Sequence, residues 1–489
     1  MLRFTLPSII IISSLLFVIS CGNLVNDELS GDEHNKTDIV SGSNRFGTVI
    51  ERNFSTTGRI KIQSASDEGY FISGTIIGDG GRDEIWLSYI DKNANRVWSA
   101  TLNNLSTNDR ISRIEVIDSD NIFILADRYY PDAEADVIVI KVNSSRGIVW
   151  QKCIGNEKKN IVSGIAPADD GGLLAVGITI TKETEDTTAE YRPFVLRISP
   201  DGDIVWKKDY RIYLNKSGKK YFEIVTPVEI ISLGNEEYLF SGTAVNPDNN
   251  KLAGFYCRID GREAGISDDY TPYGGGLLLK ACYVKAGNNT ITMLGCISFS
   301  DSLVSVIAVT GSSDTSTAVK YKIMSMNKET LKVISKKNYE FESFRIQSGI
   351  IRNNSDDFTI AGMIKPSAGK GIYTITFDKS GVVKELHTKY YDNIAQDFLS
   401  IEFNKIYENS ELSYVIKLYT PGGDERDLFI DRYITPSVSA LSVPKVVINK
   451  AAVVTVTDDS DIAEEDGDAD IEEFAIADIT DPGLVFNRY

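Results

Sequence analysis

The chain has few of the residues on which common catalytic sites depend. Its two histidines are His34 and His387, so a mechanism with a histidine base has one candidate outside the N-terminal region and no visible partner for it. Cysteine pairs at CxxC spacing, typical of structural zinc sites, are absent. Paired carboxylates could hydrolyse glycosides, but the 69 acidic residues form too many pairs to choose among without geometry. We predict no catalytic residue, no metal ligand and no cofactor.

The cysteines that follow Cys21 offer two alternatives. Four remain, and they allow three disulfide pairings: Cys153, Cys257, Cys282 and Cys296. Cys282 and Cys296 flank the turn 287–289 almost symmetrically, so they could face each other across a hairpin. Free, buried thiols are the other possibility.

The first 21 residues carry a signal for export. Arg3 supplies a positive charge, and an apolar run from Ile9 to Ile19 follows that is too short for a good membrane-spanning helix. The run ends in Val18-Ile19-Ser20-Cys21, which resembles the lipobox of bacterial lipoproteins. The resemblance implies cleavage before Cys21, a diacylglyceryl thioether on its sulfur, and acylation of the new amine, for example with palmitate. An ordinary secreted protein cut nearby is the alternative.

Several buried acyl chains anchor a protein more firmly than one, so the resemblance implies a stable attachment to a membrane. Gly22 follows the cysteine in place of the Asp that often retains such proteins at an inner membrane. We expect a lipid-anchored protein of the bacterial cell envelope, on the outer membrane or the cell surface.

Charge is distributed unevenly along the chain. The net charge is −18, and residues 458–481 hold twelve Asp or Glu and no Lys or Arg. This balance argues against a nucleic-acid partner, which would need a cationic face. The composition predicts a disordered acidic tail at 457–489, with a calcium site around Asp466-Gly-Asp468 as the alternative. The predicted divisions are a signal peptide at 1–20, a lipidated tether at 21–45, a folded domain at 46–456 and the tail.

A short phrase that ends in glycine recurs along the chain. It joins a polar turn to an apolar, β-prone run, which predicts a hairpin leading into a strand. The copies end at Gly74, Gly177, Gly242, Gly295 and Gly362, and one copy ends at Ala126. We expect the glycine to mark close strand packing or a bend.

A second phrase follows the first three copies and consists of a strand, a tight polar turn and another strand. It ends in Trp98, Trp150 and Trp206, at intervals of 52 and 56 residues, and a weaker copy spans 372–384. A tryptophan repeated in this setting is better explained by packing between repeats than by ligand binding.

Together the two phrases give four antiparallel strands per repeat, which predicts an all-β fold, a β-propeller of four-stranded blades. We expect seven blades, with the segment 47–54 completing the last one, which shows only three strands at 397–434. Eight blades, or a strand at 441–456 in that place, is the alternative.

The alternating phrases of 58–392 resemble a large class of exported bacterial propellers, most of which have no assigned chemistry. The tryptophan phrase is also similar to repeats of quinoprotein-type propellers, including the lipoprotein propeller of the outer-membrane protein assembly machinery, which implies a protein-binding scaffold. Ser199-Pro-Asp-Gly-Asp-Ile-Val-Trp206 resembles the Asp-box turn of sialidases, but its glycine comes one position early and no arginine triad or nucleophilic tyrosine can be assigned.

The loops predicted at one face of the propeller are long and rich in tyrosine. They span Asp127–Asp136, Thr179–Arg192, Tyr210–Tyr221 and Tyr270–Gly276. Loops on a rigid scaffold carry function, and tyrosine suits both sugars and proteins. The candidate ligand face consists of Tyr129, Tyr130, Tyr191, Tyr213, Tyr270 and Tyr273.

These features favour a monomeric, membrane-anchored binding or scaffold propeller whose partner is an envelope protein or a glycan. The alternatives are a glycan-active propeller enzyme and a structural envelope protein. A cluster of carboxylates with an arginine in the central funnel would favour the enzyme, and a broad aromatic patch would favour the binding protein.

Overall fold

The computed structural model is all-β, and the residues it describes contain no helix. It describes residues 24–26, 47–50, 59–65, 69–77, 81–91, 96–102, 108–116, 121–130, 135–143, 147–154, 159–180, 191–216, 218–221, 223–246, 250–262, 277–286, 290–310, 319–341, 344–345, 350–353, 355–364, 371–391, 397–405, 412–419, 428–433, 455–458, 469–473 and 475–479. The predicted signal peptide, Cys21, Tyr270 and Tyr273 lie outside these residues. No helix of the described residues is long and apolar enough to cross a membrane.

Two short strands precede the blades, β1 (Leu24–Asn26) and β2 (Gly47–Ile50). Each of the next three sheets uses four consecutive strands, paired antiparallel in chain order. Blade 1 consists of β3 (Ile60–Ser64), β4 (Tyr70–Ile77), β5 (Asp83–Ile90) and β6 (Arg96–Leu102). Blade 2 consists of β7 (Asn108–Val116), β8 (Asn121–Tyr129), β9 (Ala135–Asn143) and β10 (Gly147–Ile154). Blade 3 consists of β11 (Lys159–Pro167), β12 (Leu173–Ile180), β13 (Tyr191–Ile198) and β14 (Ile204–Lys216), with β15 (Gly218–Tyr221) as a hairpin on β14.

The following three sheets have the same form. Blade 4 consists of β16 (Glu223–Gly234), β17 (Glu237–Asn246), β18 (Lys251–Asp260) and β19 (Leu277–Ala286). Blade 5 consists of β20 (Thr290–Ser298), β21 (Ser302–Thr310), β22 (Val319–Asn327) and β23 (Val333–Phe341). In blade 6 the first position is shared by β24 (Phe344–Arg345) and β25 (Ile350–Arg352), followed by β26 (Asp357–Ile364), β27 (Gly371–Asp378) and β28 (Val383–Tyr390).

The last repeat forms a sheet of mixed origin. It supplies β29 (Asp397–Lys405), β30 (Leu412–Tyr419) and β31 (Leu428–Tyr433), and β2 pairs antiparallel with β31 over Gly47–Ile50. Counted as blades of four consecutive strands, the propeller has six rather than the seven expected. The reason is that the last repeat contributes only three strands and takes its fourth from the N-terminal side of the chain.

The blades are arranged in a ring around the first strand of each. β3 contacts β7, β7 contacts β11, and the series continues through β16, β20 and β25. β29 of the mixed sheet contacts both β25 of blade 6 and β3 of blade 1. The predicted β-propeller architecture is therefore confirmed.

Four strands outside the blades pair with outer strands. β1 pairs with β6 of blade 1. Three strands lie near the C-terminus, β32 (Thr455–Asp458), β33 (Ala469–Glu473) and β34 (Ala475–Ile479), and they pair with β23, β19 and β14 respectively.

The glycine that ends the repeated phrase allows close packing within a blade. Gly177 lies opposite Phe194 on the third strand, and Gly242 lies opposite Phe255. A Cβ atom on Gly177 would lie 2.7 Å from Cζ of Phe194, and one on Gly242 would lie 2.6 Å from the same atom of Phe255. In these two blades the aromatic ring therefore occupies the space a side chain would need, as expected for close packing. Blade 5 differs, because its Gly295 lies on the first strand.

Trp150 packs between blades, as predicted for the repeated tryptophans. Its indole Nε1 donates a hydrogen bond of 3.1 Å to the carbonyl oxygen of Pro200 in the next blade. A Cβ atom on Gly202 would lie 3.1 Å from the indole ring, and Gly202 has a φ of +87°. Glycine therefore suits this turn both by conformation and by the room it leaves for the ring.

The suggested pairing of Cys282 with Cys296 is not found. β19 pairs with β18 and belongs to blade 4, whereas β20 begins blade 5, so the two strands do not form a hairpin. Cys296 is a free, buried thiol, and burial raises its pKa to about 12. Cys257 is also buried and forms no disulfide bond.

Candidate functional site

The first strands of blades 1 to 3 begin at one face of the propeller, and the second strands end there. We call this the loop face, and the opposite end, with its short turns, the hairpin face. Arg59 precedes β3, Arg110 lies near the start of β7, and Lys159 begins β11. Asp127 and Tyr129 lie at the end of β8. These five residues form what we call the blade 2 cluster.

The ring of Tyr129 lies against two cations. Cζ of Arg110 is 5.0 Å from the ring centroid and Nζ of Lys159 is 5.5 Å from it. A cation at this distance from an aromatic face is attracted by the ring quadrupole. Burial, reinforced by the charge of Asp127, raises the pKa of Tyr129 to about 12, so the hydroxyl stays protonated at neutral pH.

Asp127 places a carboxyl group among these cations. Its side chain is buried, and Oδ1 accepts a hydrogen bond of 2.8 Å from the backbone N–H of Val162 in blade 3. Burial raises the pKa of Asp127 to about 7, although the hydrogen bond and the charges of Arg59, Lys159 and Arg110 oppose the shift. The carboxyl therefore exchanges its proton near neutral pH.

Comparison with other blades shows that the fold does not require a carboxylate at this position. In blade 1 the hydroxyl of Thr75 accepts a hydrogen bond from the N–H of Ile111, at 3.2 Å. In blade 4 the hydroxyl of Thr243 accepts one from the N–H of Met293, at 3.1 Å. Both threonines come directly after the glycine of the repeated phrase, as Asp127 comes after Ala126. A threonine therefore makes the same link between blades without the charge.

A neighbouring acid holds Arg110 in place. Nε of Arg110 lies 2.6 Å from Oδ2 of Asp83, and the backbone N–H of Asp83 donates to Oδ1 of Asn108 at 3.0 Å. About a third of the Arg110 side chain remains exposed. Lys159 has no acidic partner within ion-pair distance among the described residues. Arg110 is thus partly neutralised by an acidic partner, whereas Lys159 is not paired with a described acid.

The structure places four of the six predicted tyrosines, and one of them lies in the cluster. Tyr129 is described above. The hydroxyl of Tyr130 donates to Oδ2 of Asp136 at 2.8 Å, and burial raises its pKa. Tyr191 begins β13 and is half-buried. Tyr213 lies within β14, opposite Tyr221, and its side chain is outside the described residues.

Two predicted loops prove to be largely strand. β8 continues to Tyr129 and β9 begins at Ala135, so the loop expected at Asp127–Asp136 is reduced to 130–134. The segment Tyr210–Tyr221 forms the end of β14 and all of β15. The reason is that strand pairing continues into both segments, past the apolar residues from which the strand ends were predicted.

Sequence reasoning missed the cations of the cluster and Asp127. The signal available was the departure of Asp127 from the repeat, since the residue that follows the glycine is Thr75 in blade 1, Ile178 in blade 3 and Thr243 in blade 4. The cations could not be grouped from the sequence, because they come from three different blades.

A second group of charges lies near the axis of the ring. Arg113 donates from Nε to the carbonyl oxygen of Ser163, at 2.6 Å, and from Nη2 to that of Val228, at 3.0 Å. Val228 belongs to blade 4, which is not a neighbour of blade 2. Contacts between blades that are not neighbours are possible only close to the axis.

Two glutamates share this axial position with Arg113. Burial and the charge of Glu229 raise the pKa of Glu115 to about 8, and Arg113 opposes the shift. Oε2 of Glu229 accepts a hydrogen bond of 2.7 Å from the N–H of Cys296, and burial raises its pKa also. Both side chains are only partly exposed. A neutral Glu115 can donate a proton at pH 7, which is the property of a general acid.

No group of three or more His, Cys, Asp or Glu side chains in the described parts of the chain is placed to hold a metal ion. No family model matches the chain. No curated protein matches it either.

Several solved structures are similar in fold. The polysaccharide lyase Uly1 is 11% identical, with 83% of this chain and 94% of the lyase covered at a TM-score of 0.43. A subtype N10 neuraminidase-like protein from a little yellow-shouldered bat isolate is 12% identical, with 85% and 99% covered at 0.36. The WD40 domain of SCAP from fission yeast is 8% identical, with 81% and 99% covered at 0.34. Sequence identities and TM-scores this low assign no ligand and no activity to this chain.

Proposed function

We propose that this protein is an exported, lipid-anchored β-propeller that binds an envelope protein or a glycan on its loop face. The observation that supports binding is the ring of Tyr129 held against Arg110 and Lys159 at that face. Aromatic and arginine side chains dominate binding energy in recognition sites. The lipobox-like motif that ends in Cys21 supports the anchor.

The binding role is tested by recovering partners from an envelope extract with the full-length chain. We expect Tyr129→Ala to lose a partner that the wild type retains, because the variant removes the ring on which both cations lie. Val149→Ala is the matched control, since Val149 is exposed on the outer strand β10. Retention of every partner by a folded Tyr129→Ala variant would contradict the proposal.

The anchor is tested by labelling. We expect labelled palmitate to enter the protein in its native host, and Cys21→Ser to abolish the label and release the chain in soluble form. Continued attachment of the Cys21→Ser variant to the membrane would contradict the lipoprotein assignment.

The mixed sheet acts, in this proposal, as a seventh blade that closes the ring through β2. Its contacts with β25 and β3 support this assignment. Deleting residues 47–50 would expose the edge of β31, and exposed edges promote aggregation. We expect a lower melting temperature for the deletion variant, and an unchanged melting curve would show that the ring closes in another way.

A glycan-active enzyme is the second candidate. The observation that favours it is the group of charges near the axis, which consists of Arg113, Glu115 and Glu229. Glu115 is a protonated acid at pH 7, and Glu229 and Arg113 lie beside it. The test is to incubate the protein with neutral and acidic polysaccharides and measure their chain length. Shortening by the wild type but not by Glu115→Gln supports the enzyme, and no shortening of any polysaccharide rejects it.

A further inference from the structure

The blade 2 cluster has an unusual balance of charge for this protein. The chain as a whole carries a net charge of −18, yet Arg59, Arg110 and Lys159 lie together at the loop face. Asp83 pairs with Arg110, and Asp127 is a second acidic side chain beside these cations. Ionisation of Asp127 makes the charge of the group more negative by one, so its proton decides how strongly an anion is attracted.

Asp127 is held where its charge opposes an arriving anion. Its Oδ1 is fixed by the N–H of Val162, and its side chain lies on the same face of blade 2 as Arg110, its direct cross-strand neighbour. Tyr129 is two residues further along the same strand and lies on the same face of the sheet. An anion bound by these cations would therefore lie next to the Asp127 carboxyl.

We propose that the blade 2 cluster binds a linear acidic polysaccharide through its carboxylates, and that Asp127 acts as an internal competing anion that weakens this binding at alkaline pH. The proposal rests on the binding function proposed above and specifies its ligand. It follows from the arrangement of Arg59, Arg110 and Lys159 around Tyr129 and Asp127 near the starts of three consecutive first strands.

A polysaccharide fits this site better than an acidic protein does. A stable protein interface buries about 800 Å² on each partner, which would extend well beyond the five residues of the cluster. The net charge of the chain is −18, so this wider contact offers an acidic protein no overall attraction. A single polysaccharide chain covers a narrow strip, and it can place successive carboxylates against cations contributed by adjacent blades.

The groups that face Asp127 define how its charge responds to pH. They are Arg110 on β7, Tyr129 on β8, Lys159 on β11 and Arg59 before β3, with Asp83 on β5 acting through Arg110. Burial raises the pKa of Asp127 to about 7, so the carboxyl loses its proton as the pH rises through neutrality. The carboxylates of a uronate polymer stay ionised throughout this range, since an ordinary carboxyl has a pKa near 4.

The experiment measures binding of polygalacturonate to the full-length chain in detergent at pH 6 and pH 8. We expect binding about 3- to 10-fold tighter at pH 6. Asp127→Thr keeps the hydrogen bond to Val162, as Thr75 and Thr243 do in other blades, and removes the charge. This variant should bind at pH 8 as tightly as the wild type binds at pH 6 and lose most of the pH dependence.

Two further variants separate the cluster from general charge effects. Lys159→Ala should weaken binding several-fold at both pH values. Lys379→Ala removes an exposed cation on the hairpin face and should leave binding unchanged. Equal losses in the two variants would overturn the assignment of the site.

The remaining outcomes distinguish this inference from the proposed function. Binding that is equally pH-dependent in Asp127→Thr overturns the role of Asp127 alone. Binding of polyglutamate as tight as that of polygalacturonate overturns the choice of a polysaccharide. Failure to bind polygalacturonate, while envelope partners are still lost in Tyr129→Ala, overturns the ligand and leaves the binding function intact.

Discussion

The two faces of the propeller differ in what surrounds their cations. On the hairpin face Arg197 lies 2.9 Å from Asp170, and Lys379 of blade 6 lies 3.1 Å from Asp301 of blade 5. Arg258 pairs with Glu237 and also donates to the carbonyl oxygen of Glu329 in the next blade. On the loop face Arg110 also has an acidic partner, Asp83, but Arg110 and Lys159 lie against the ring of Tyr129, next to the buried carboxyl of Asp127. The hairpin face is built for stability, and the blade 2 cluster retains a buried charge that lowers stability.

The largest expected effect comes from removing that buried charge. The pKa of Asp127 is about 7 in the folded chain, above its ordinary value of 3.8, so the folded chain holds a proton that the unfolded chain releases between these values. The free energy of unfolding therefore falls as the pH rises from about 4 to about 7 through this group, and the loss is complete above that range. We expect Asp127→Thr to be more stable than the wild type at pH 8, by up to about 4 kcal/mol.

Denaturant unfolding at pH 4 and pH 8 measures this effect. At pH 4 the wild type and Asp127→Thr should have similar free energies of unfolding, because Asp127 is neutral in the folded chain at that pH. A variant less stable than the wild type at pH 8 would show that Asp127 stabilises the fold and would remove the contrast between the faces.

The next effect lies on the hairpin face. Trp150→Ala removes the indole that bonds to Pro200 and packs on Gly202, and we expect the free energy of unfolding to fall by about 3 kcal/mol. Val149→Ala is the neighbouring control, because the Val149 side chain is exposed, with a relative exposure of 50%. Thermal unfolding compares the two, and equal melting temperatures would argue against inter-blade packing by Trp150.

A smaller effect is expected at Arg197. Its side chain is only 6% exposed, but its partner Asp170 is 47% exposed, so the ion pair is partly screened by solvent. We expect Arg197→Ala to lower the free energy of unfolding by about 1 to 2 kcal/mol, with ligand binding unchanged. The measurement is denaturant unfolding, with Arg262→Ala as the control because Arg262 is largely exposed. A loss of binding in Arg197→Ala would mean that the two faces are coupled.

The smallest change in stability is expected at Lys159. Lys159→Ala removes a cation that contacts the Tyr129 ring near the surface, so the free energy of unfolding should change by no more than about 0.5 kcal/mol. A melting curve recorded beside the binding assay checks this. A large loss of stability would place Lys159 with the structural cations of the hairpin face.

The repeats made the fold predictable, and their irregularities limited the prediction. The glycine phrase and the repeated tryptophans report strand packing that recurs in each blade, so local patterns sufficed. The glycine phrase does not mark the same strand in every blade, because the copy ending at Gly295 lies on the first strand of its blade and not on the second. The predicted tyrosine face was defined by loop length, which does not reveal that Tyr129 lies at a strand end.

The candidate site was less accessible to sequence reasoning. Arg110 and Asp127 are cross-strand neighbours, but Lys159 and Arg59 belong to other blades, and only the ring brings them together. Glu115 and Glu229 are likewise distant in sequence and meet at the axis. Charge clusters of this kind depend on the curvature of the whole ring, which no local pattern contains.

The pairing of β2 with β31 has a consequence for how the protein folds and bears force. The two strands are separated by most of the described chain, so the mixed sheet can be completed only after the last repeat has been synthesised. Contacts between such distant segments slow folding. If Cys21 carries the lipid, a pull on the propeller reaches the membrane through two short ladders in series, that of β1 with β6 and that of β2 with β31. The seam of the ring would then be one of two mechanical links between the domain and its anchor.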